Sequence, residues 1–221
     1  MRTISVISQK DGAGKTTLAL HIAAAAELAG YSAALLDMDP QGTAEAWAGW
    51  RRDAPPAVVA AKATTLARTL EKARSAGAGV VVIDTPPLAE SEAREAARMA
   101  DLVLIPCRPR AFDLHAIRTT ADLARFAGRP AFVVFNAGPS RGSSLYAEAA
   151  GVVKRIGLEV APVRLGDRAA FHQSTGSGRA AQETEPGSKA AEEVRQLWHW
   201  LCEQVNLPAI KQANMEAEAR A

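Results

Sequence analysis

Residues 3–17 read Thr3-Ile4-Ser5-Val6-Ile7-Ser8-Gln9-Lys10-Asp11-Gly12-Ala13-Gly14-Lys15-Thr16-Thr17. The apolar run Ile4 to Ile7 predicts a short buried strand, and Lys15 to Leu28 predicts a helix. Between them lies a glycine-containing turn. Strand, turn and helix N-terminus in this order make an anion trap. Backbone N–H groups of the loop and the first helical turn converge on one point, and the glycines let the backbone come close. In that geometry Lys15 supplies a point charge to the β- and γ-phosphates of a nucleotide. The Thr16 hydroxyl is placed to ligate Mg²⁺, and Thr17 can donate to the α-phosphate.

Working outward, the same alternation repeats. Ala33 to Leu36, Val80 to Ile83, Leu102 to Ile105, Phe132 to Phe135 and Leu158 to Ala161 are short, continuously apolar and bounded by polar or turn residues, as buried strands are. Ala63 to Ser75, Glu90 to Met99, Ala116 to Phe126 and Leu145 to Ile156 predict helices between them. Strands alternating with helices imply an α/β fold: one doubly wound, mostly parallel sheet with helices on both faces. A last helix, Ser188 to Val205, carries Val194, Leu197, Trp198, Leu201, Cys202 and Val205 on one stripe, so Trp198 is expected to anchor it to the core. Residues 1–206 form one domain in this reading, followed by a polar, partly disordered tail, 207–221. Trp47 and Trp50 are expected to pack a helix on the sheet. His21, among alanines, has no expected catalytic part.

Composition narrows the class. The chain has 221 residues, 48% hydrophobic and 23% charged, with a net charge of +2. That excludes disordered and fibrous classes and confines any polyanion-binding surface to a local patch. Cys107 and Cys202 lie far apart, without the spacing of a zinc ribbon, a redox motif or a secreted disulfide scaffold. The first residues are too short and polar for a signal peptide, and no apolar run reaches membrane-spanning length. A soluble, cytoplasmic protein is expected.

Two further strands end in carboxylates. Leu35-Leu36-Asp37-Met38-Asp39-Pro40-Gln41-Gly42 follows the second strand, at the sheet edge where α/β proteins bind ligands. Val80-Val81-Val82-Ile83-Asp84-Thr85-Pro86-Pro87 has the form of a Walker B strand, whose terminal Asp84 can hold Mg²⁺ through water.

The loop departs from G-x-x-x-x-G-K-[ST], because Gln9 stands at the first glycine position and a lysine follows it. This resembles the deviant Walker A motif K-G-G-x-G-K-[ST] shared by ParA, MinD, the nitrogenase iron protein and the arsenite-pump ATPases. The nearest resemblance is to small ParA-type partition ATPases that lack an N-terminal helix-turn-helix domain. The resemblance implies a Mg²⁺-dependent ATPase with slow intrinsic hydrolysis, in which Lys10 reaches the phosphates of a partner subunit. By the same resemblance, Asp39 of the D-x-D-P-Q segment positions the attacking water and backs the metal site, with Asp37 in support. Asp84-Thr85-Pro86-Pro87 senses the γ-phosphate. Asp101 to Cys107 and Asp113-Leu114 match the strand and helix after Walker B. Asn136 contacts adenine, and Pro162 to Arg168 match the base-flanking loop and the arginine segment after it. The implied catalytic set is Lys10, Lys15 and Asp39. The implied nucleotide contacts are Lys10, Asp11, Gly12, Ala13, Gly14, Lys15, Thr16, Thr17, Asn136 and Pro162.

Asp11 stands where that family has glycine. Aspartate tolerates a left-handed backbone better than most residues. Its charge is the larger matter: about 6 Å from a phosphate oxygen, at an effective dielectric near 20, it repels by about 3 kcal/mol. The side chain is expected to point away from the nucleotide or to pair with a base, and Asp11 to weaken ATP affinity or tune dimer lifetime.

The resemblance also implies partners: a homodimer in the ATP state, nonspecific double-stranded DNA, and a ParB-like or other adaptor that stimulates hydrolysis. A nucleoid-associated location goes with them. Between positions 141 and 179 six basic residues, Arg141, Lys154, Arg155, Arg164, Arg168 and Arg179, stand against three acidic ones, Glu148, Glu159 and Asp167. Neutralising phosphates with such residues makes binding salt-sensitive. Since the first strand begins at the N-terminus, no operator-reading domain is expected. A MinD-like membrane-recruited regulator needs a basic, bulky amphipathic C-terminal helix, whereas Asn214 to Ala221 is acidic and small. No membrane partner is therefore expected. A P-loop biosynthetic enzyme would leave Asp39-Pro40-Gln41 unexplained, and an iron protein would need paired cysteines.

Overall fold

A computed structural model describes residues 1–52, 54–139 and 142–208. Its strands are β1 (Arg2–Val6), β2 (Ala33–Asp37), β3 (Ala57–Ala60), β4 (Val80–Asp84), β5 (Leu102–Cys107), β6 (Ala131–Phe135) and β7 (Glu159–Val160). All pair in parallel, in the order β3-β2-β4-β1-β5-β6-β7. The helices are α1 (Lys15–Leu28), α2 (Thr43–Trp50), α3 (Leu66–Ser75), α4 (Glu90–Met99), α5 (Ala111–Ala127), α6 (Ser143–Arg155), α7 (Ala169–Gly176), α8 (Ala181–Thr184) and α9 (Lys189–Gln204).

The continuous apolar strands serve two cores at once. On β4, Val80 and Val82 pack with α1, α2, α7, α8 and α9, while Val81 and Ile83 pack with α3 to α6. Leu102 and Leu104 of β5 face the first core, Val103 and Ile105 the second. A strand covered on both faces cannot alternate with polar residues, which is why these runs carry no period of two. Trp198 is buried in the first core, as expected.

The order of strands sets the site. From β1 the chain runs to β2 and β3 on one side and, after β4, crosses to β5, β6 and β7 on the other, so the carboxyl end of β1 lies at the crevice where α/β sheets take ligands. There Val6, Asp84 and Asp37 come into register side by side.

Five elements depart from the expectations. The edge strand β3 and the helix α2 carry no clear periodic signal. Helix α2 forms because the buried Asp37 caps it from upstream: its Oδ2 accepts Ala44 N–H at 2.9 Å and Glu45 N–H at 3.2 Å. Helix α5 begins at Ala111 rather than 116, its first turn closed by Leu114 N–H on the Arg110 carbonyl at 2.9 Å. The short α8 is held by tertiary bonds, and the short α7 by its buried Phe171, whose ring meets that of His21 edge-on, rather than by propensity. Trp47 is buried, as expected, with its indole N–H on the Arg179 carbonyl at 3.2 Å. Trp50, by contrast, is 57% exposed. The Arg51 guanidinium lies over the Trp47 ring at 4.4 Å and bonds both oxygens of Glu183 at 2.8 Å. The last turn of α2 is thus tied to α8.

His21 is fully enclosed and joins α1 to α8. Its Nε2 accepts Ala181 N–H at 3.1 Å, so Nδ1 carries the proton and donates to the Thr17 carbonyl at 2.7 Å. The Gln182 amide donates to the His21 carbonyl at 2.8 Å. Burial pushes the imidazole pKa down to about 4, against the opposing pull of the Thr17 carbonyl. His21 is a structural residue. Most of the tail read as residues 207–221 lies outside the described residues, and among the described residues no helix is long and apolar enough to cross a membrane.

Candidate functional site

The loop after β1 turns back at two glycines. Gly12 has φ +64° and Gly14, the N-cap of α1, has φ +89°. Both conformations suit glycine and little else. At Gly14 a second constraint acts: a Cβ there would lie 2.3 Å from Nδ2 of Asn136. Asn136 directly follows β6 and donates that Nδ2 to the Ala13 carbonyl at 2.6 Å, so the loop is braced from the end of that strand. Oδ1 of Asn136 is buried without a partner among the described residues.

Lys15 is only 6% exposed, and Nζ donates to the Lys10 carbonyl at 3.3 Å. Burial lowers its pKa, while Asp84, Asp11 and Asp39 hold it up. A buried ammonium at the mouth of an N–H nest, ringed by three carboxylates, suits an anion accompanied by a cation.

Asp84 is the residue here whose chemistry fits such a cation. It is fully buried, and among the described residues neither carboxylate oxygen makes a hydrogen bond of standard geometry, although the Thr16 hydroxyl beside it favours the charged form. Burial, with Asp37 and Asp39 nearby, raises its pKa to about 7. Unpaired buried carboxylate oxygens next to a threonine hydroxyl fit a hard divalent cation such as Mg²⁺. Asp37 braces the adjoining turn, its Oδ1 accepting Asp39 N–H at 3.0 Å. Asp39 is half-buried, its Oδ1 accepting Gln41 N–H at 2.9 Å.

Asp11 does not occupy a left-handed conformation; the positive φ falls on Gly12. The Asp11 carboxylate is exposed and folds back on its own loop, Oδ1 accepting Gly12 N–H at 2.8 Å. Among the described residues it forms no ion pair with a base, and it occupies one of the cradle's own donors. Lys10 turns to α5, where Nζ sits 2.9 Å from Oδ1 of Asp113.

A cavity of about 230 Å³ opens beside the loop. Gly12 to Gly14, Thr17 and Asn136 line one side, Leu165 to Arg168 the other. Pro162 is exposed and outside this wall. Two ionisable side chains of the cavity wall, Arg108 and His172, carry no motif signal in the sequence beyond the position of Arg108 just past a strand end.

The basic candidates are dispersed. Lys154 and Arg155 end α6 on one face of the sheet, whereas Arg179 precedes α8 on the other. Arg164 stacks on Tyr146 at 4.1 Å, and Arg168 bonds Glu193 at 2.9 and 2.5 Å. Arg141 lies outside the described residues.

A parallel α/β sheet with a phosphate nest after β1 and carboxylates ending β2 and β4 defines a P-loop nucleotide-binding protein. The chain belongs to the CobQ/CobB/MinD/ParA nucleotide-binding domain family, whose model matches residues 4–179. It is 40% identical over 126 residues to maintenance of carboxysome distribution protein A of Gloeobacter kilaueensis, covering 56% of each chain. It is 34% identical over 116 residues to protein ParA of Rhizobium radiobacter, covering 51% of each. The chain thus matches about half the length of these curated relatives. The fold is shared with the septum site-determining protein MinD of Pyrococcus horikoshii in complex with Mg-ADP, at TM-score 0.68 and 17% identity, over 97% of this chain and 98% of that one.

Proposed function

We propose that the protein is a Mg²⁺-dependent ATPase of the partition type, which dimerises around ATP, grips duplex DNA in that state and lets go on hydrolysis. The observation that carries this is the second lysine. Lys15 is sunk in the cradle, whereas the Lys10 side chain remains 33% exposed at its rim. An ammonium group at the rim suits a second protomer's triphosphate. Phe112, beside Asp113 in the chain, is 87% exposed, and Leu88, just past the Asp84 strand, is 81% exposed. Such apolar side chains around a polar site fit burial against a second copy.

In this scheme the N–H nest and Lys15 hold the β- and γ-phosphates, and Thr16 with Asp84 would hold Mg²⁺. When bound, the ion neutralises charge gathering on the transferring phosphoryl group. Asp39, fixed by the Asp37 turn, orients the attacking water. Phosphoryl transfer asks for little beyond positioning and charge neutralisation. Loss of the γ-phosphate removes what Lys10 of each protomer would hold on the other, and the clamp opens. An adaptor protein that speeds hydrolysis completes the cycle. The names of the relatives, one for carboxysome distribution and one ParA, support a protein compartment or a DNA molecule as the cargo class of this proposal.

A gel-shift on arbitrary duplex DNA tests the proposal. Retardation is expected with ATP and not with ADP or without nucleotide, and Lys10→Ala abolishes it. Retardation that ignores nucleotide overturns the clamp.

A further inference from the structure

Arg108 follows β5 directly, and its side chain lines the cavity beside the phosphate loop. Its Nε is shut off from solvent and has no hydrogen-bond partner among the described residues. A guanidinium offers donors only, and a buried donor without an acceptor is a standing cost to the empty protein. Arg168, the other arginine of the wall, is already committed to Glu193. The wall's own carboxylate, Asp167, accepts no bond from Arg108 among the described residues.

The location says which part of a ligand would meet it. Lys15, Thr16, Asp39 and Asp84, the groups at the γ-phosphate and metal end, do not line this cavity. Thr17 and Asn136 do. The space therefore runs from the first turn of α1 away from the metal end, toward the half of a nucleotide that carries the α-phosphate and the nucleoside.

We propose that Arg108 is a nucleotide-binding residue that donates to an acceptor on the nucleoside and α-phosphate half of the ligand, and so holds ADP and ATP alike. This rests on the nucleotide-binding reading of the loop but adds a residue that the loop motif does not contain. Lys10 and Arg108 then divide the work. Lys10 distinguishes triphosphate from diphosphate, and Arg108 does not. A guanidinium–phosphate or guanidinium–ribose bond made by a partly buried side chain is worth about tenfold in affinity.

The experiment is calorimetric titration of wild type, Arg108→Met and Lys15→Ala with ATP, ADP and tripolyphosphate, together with thermal melts with and without ADP. Arg108→Met is expected to lose about tenfold for both ATP and ADP, to leave tripolyphosphate affinity within about twofold, and to keep the ATP-to-ADP ratio. Its ligand-free melting temperature is expected to equal or exceed that of wild type, because an unpaired buried donor has gone, while the ADP-induced shift shrinks. Equal nucleotide affinities in wild type and Arg108→Met overturn the assignment, as does an equal loss for tripolyphosphate. A lower ligand-free melting temperature with unchanged ADP affinity makes Arg108 structural and also overturns it. If wild type itself binds none of the three ligands and Lys15→Ala changes nothing, it is the nucleotide-binding reading that fails.

Discussion

Nζ of Lys10 lies 2.9 Å from Oδ1 of Asp113, so the lysine expected to serve another subunit is held by a carboxylate of its own. Any transfer of Lys10 to a second protomer must break this pair. Asp113→Asn keeps the shape and removes the charge. Sedimentation in ATP is expected to show a tighter dimer by a few-fold, in line with about 1 kcal/mol for a partly exposed pair. A weaker dimer would mean that Asp113 aims Lys10 instead of restraining it.

Asp11 occupies the Gly12 N–H and sets a negative charge beside the cradle. Asp11→Asn and Asp11→Gly are both expected to raise ATP affinity, by about tenfold, less than the bare Coulomb figure because the carboxylate is exposed. Titration calorimetry at low and high salt checks this, with the gain shrinking as salt rises. Equal affinities at low salt would show that the charge is fully screened.

Asp84 must shed its proton to serve a divalent cation. With its pKa raised to about 7 by burial, the carboxyl is increasingly protonated as pH falls below that value. Apparent Mg²⁺ affinity for the ATP-bound protein is expected to weaken toward about tenfold per pH unit below neutrality and to level off above it. Asp84→Asn removes both the affinity and its pH dependence. A flat profile in wild type between pH 5.5 and 8, as about the usable range, would place the metal elsewhere.

His21 makes stability itself depend on pH. Its folded pKa is about 4, against 6.5 for an imidazole in the unfolded chain, so the unfolded chain binds the extra proton first. The contribution is complete above pH 6.5 and drains away as pH falls toward 4, amounting to about 3 kcal/mol across that window. Urea melts at a series of pH values should show this fall in wild type, and a shallower one in His21→Gln. Parallel slopes would assign the loss to other groups.

Much of this was legible from residues, for identifiable reasons. The boundaries of α1 and α4 fall where the sequence puts them, since Gly14 and Glu90 mark them locally. The strands announce themselves because burial on both faces leaves no room for polar side chains. By contrast, α2 depends on a cap supplied by Asp37 from another element, and α8 on bonds with His21 and Arg51, which no local pattern encodes. In the site, the motif residues Lys15, Thr16 and Asp84 are brought together as spacing suggested. The Lys10–Asp113 pair joins distant segments, and the Asp11–Gly12 bond depends on a rotamer. Neither leaves a mark in sequence.

The tie between Arg51 and Glu183 bears on how the region after β2 can respond to chemistry. A planar cation stacked on an indole and bonded through two nitrogens to a carboxylate, mostly out of solvent, is costly to pull apart. The rod it terminates is therefore pinned at its far end. If the proposed cycle moves Asp39, the pinned helix favours taking up that motion in residues 38–42, as a short flexing joint and not as a long swinging arm.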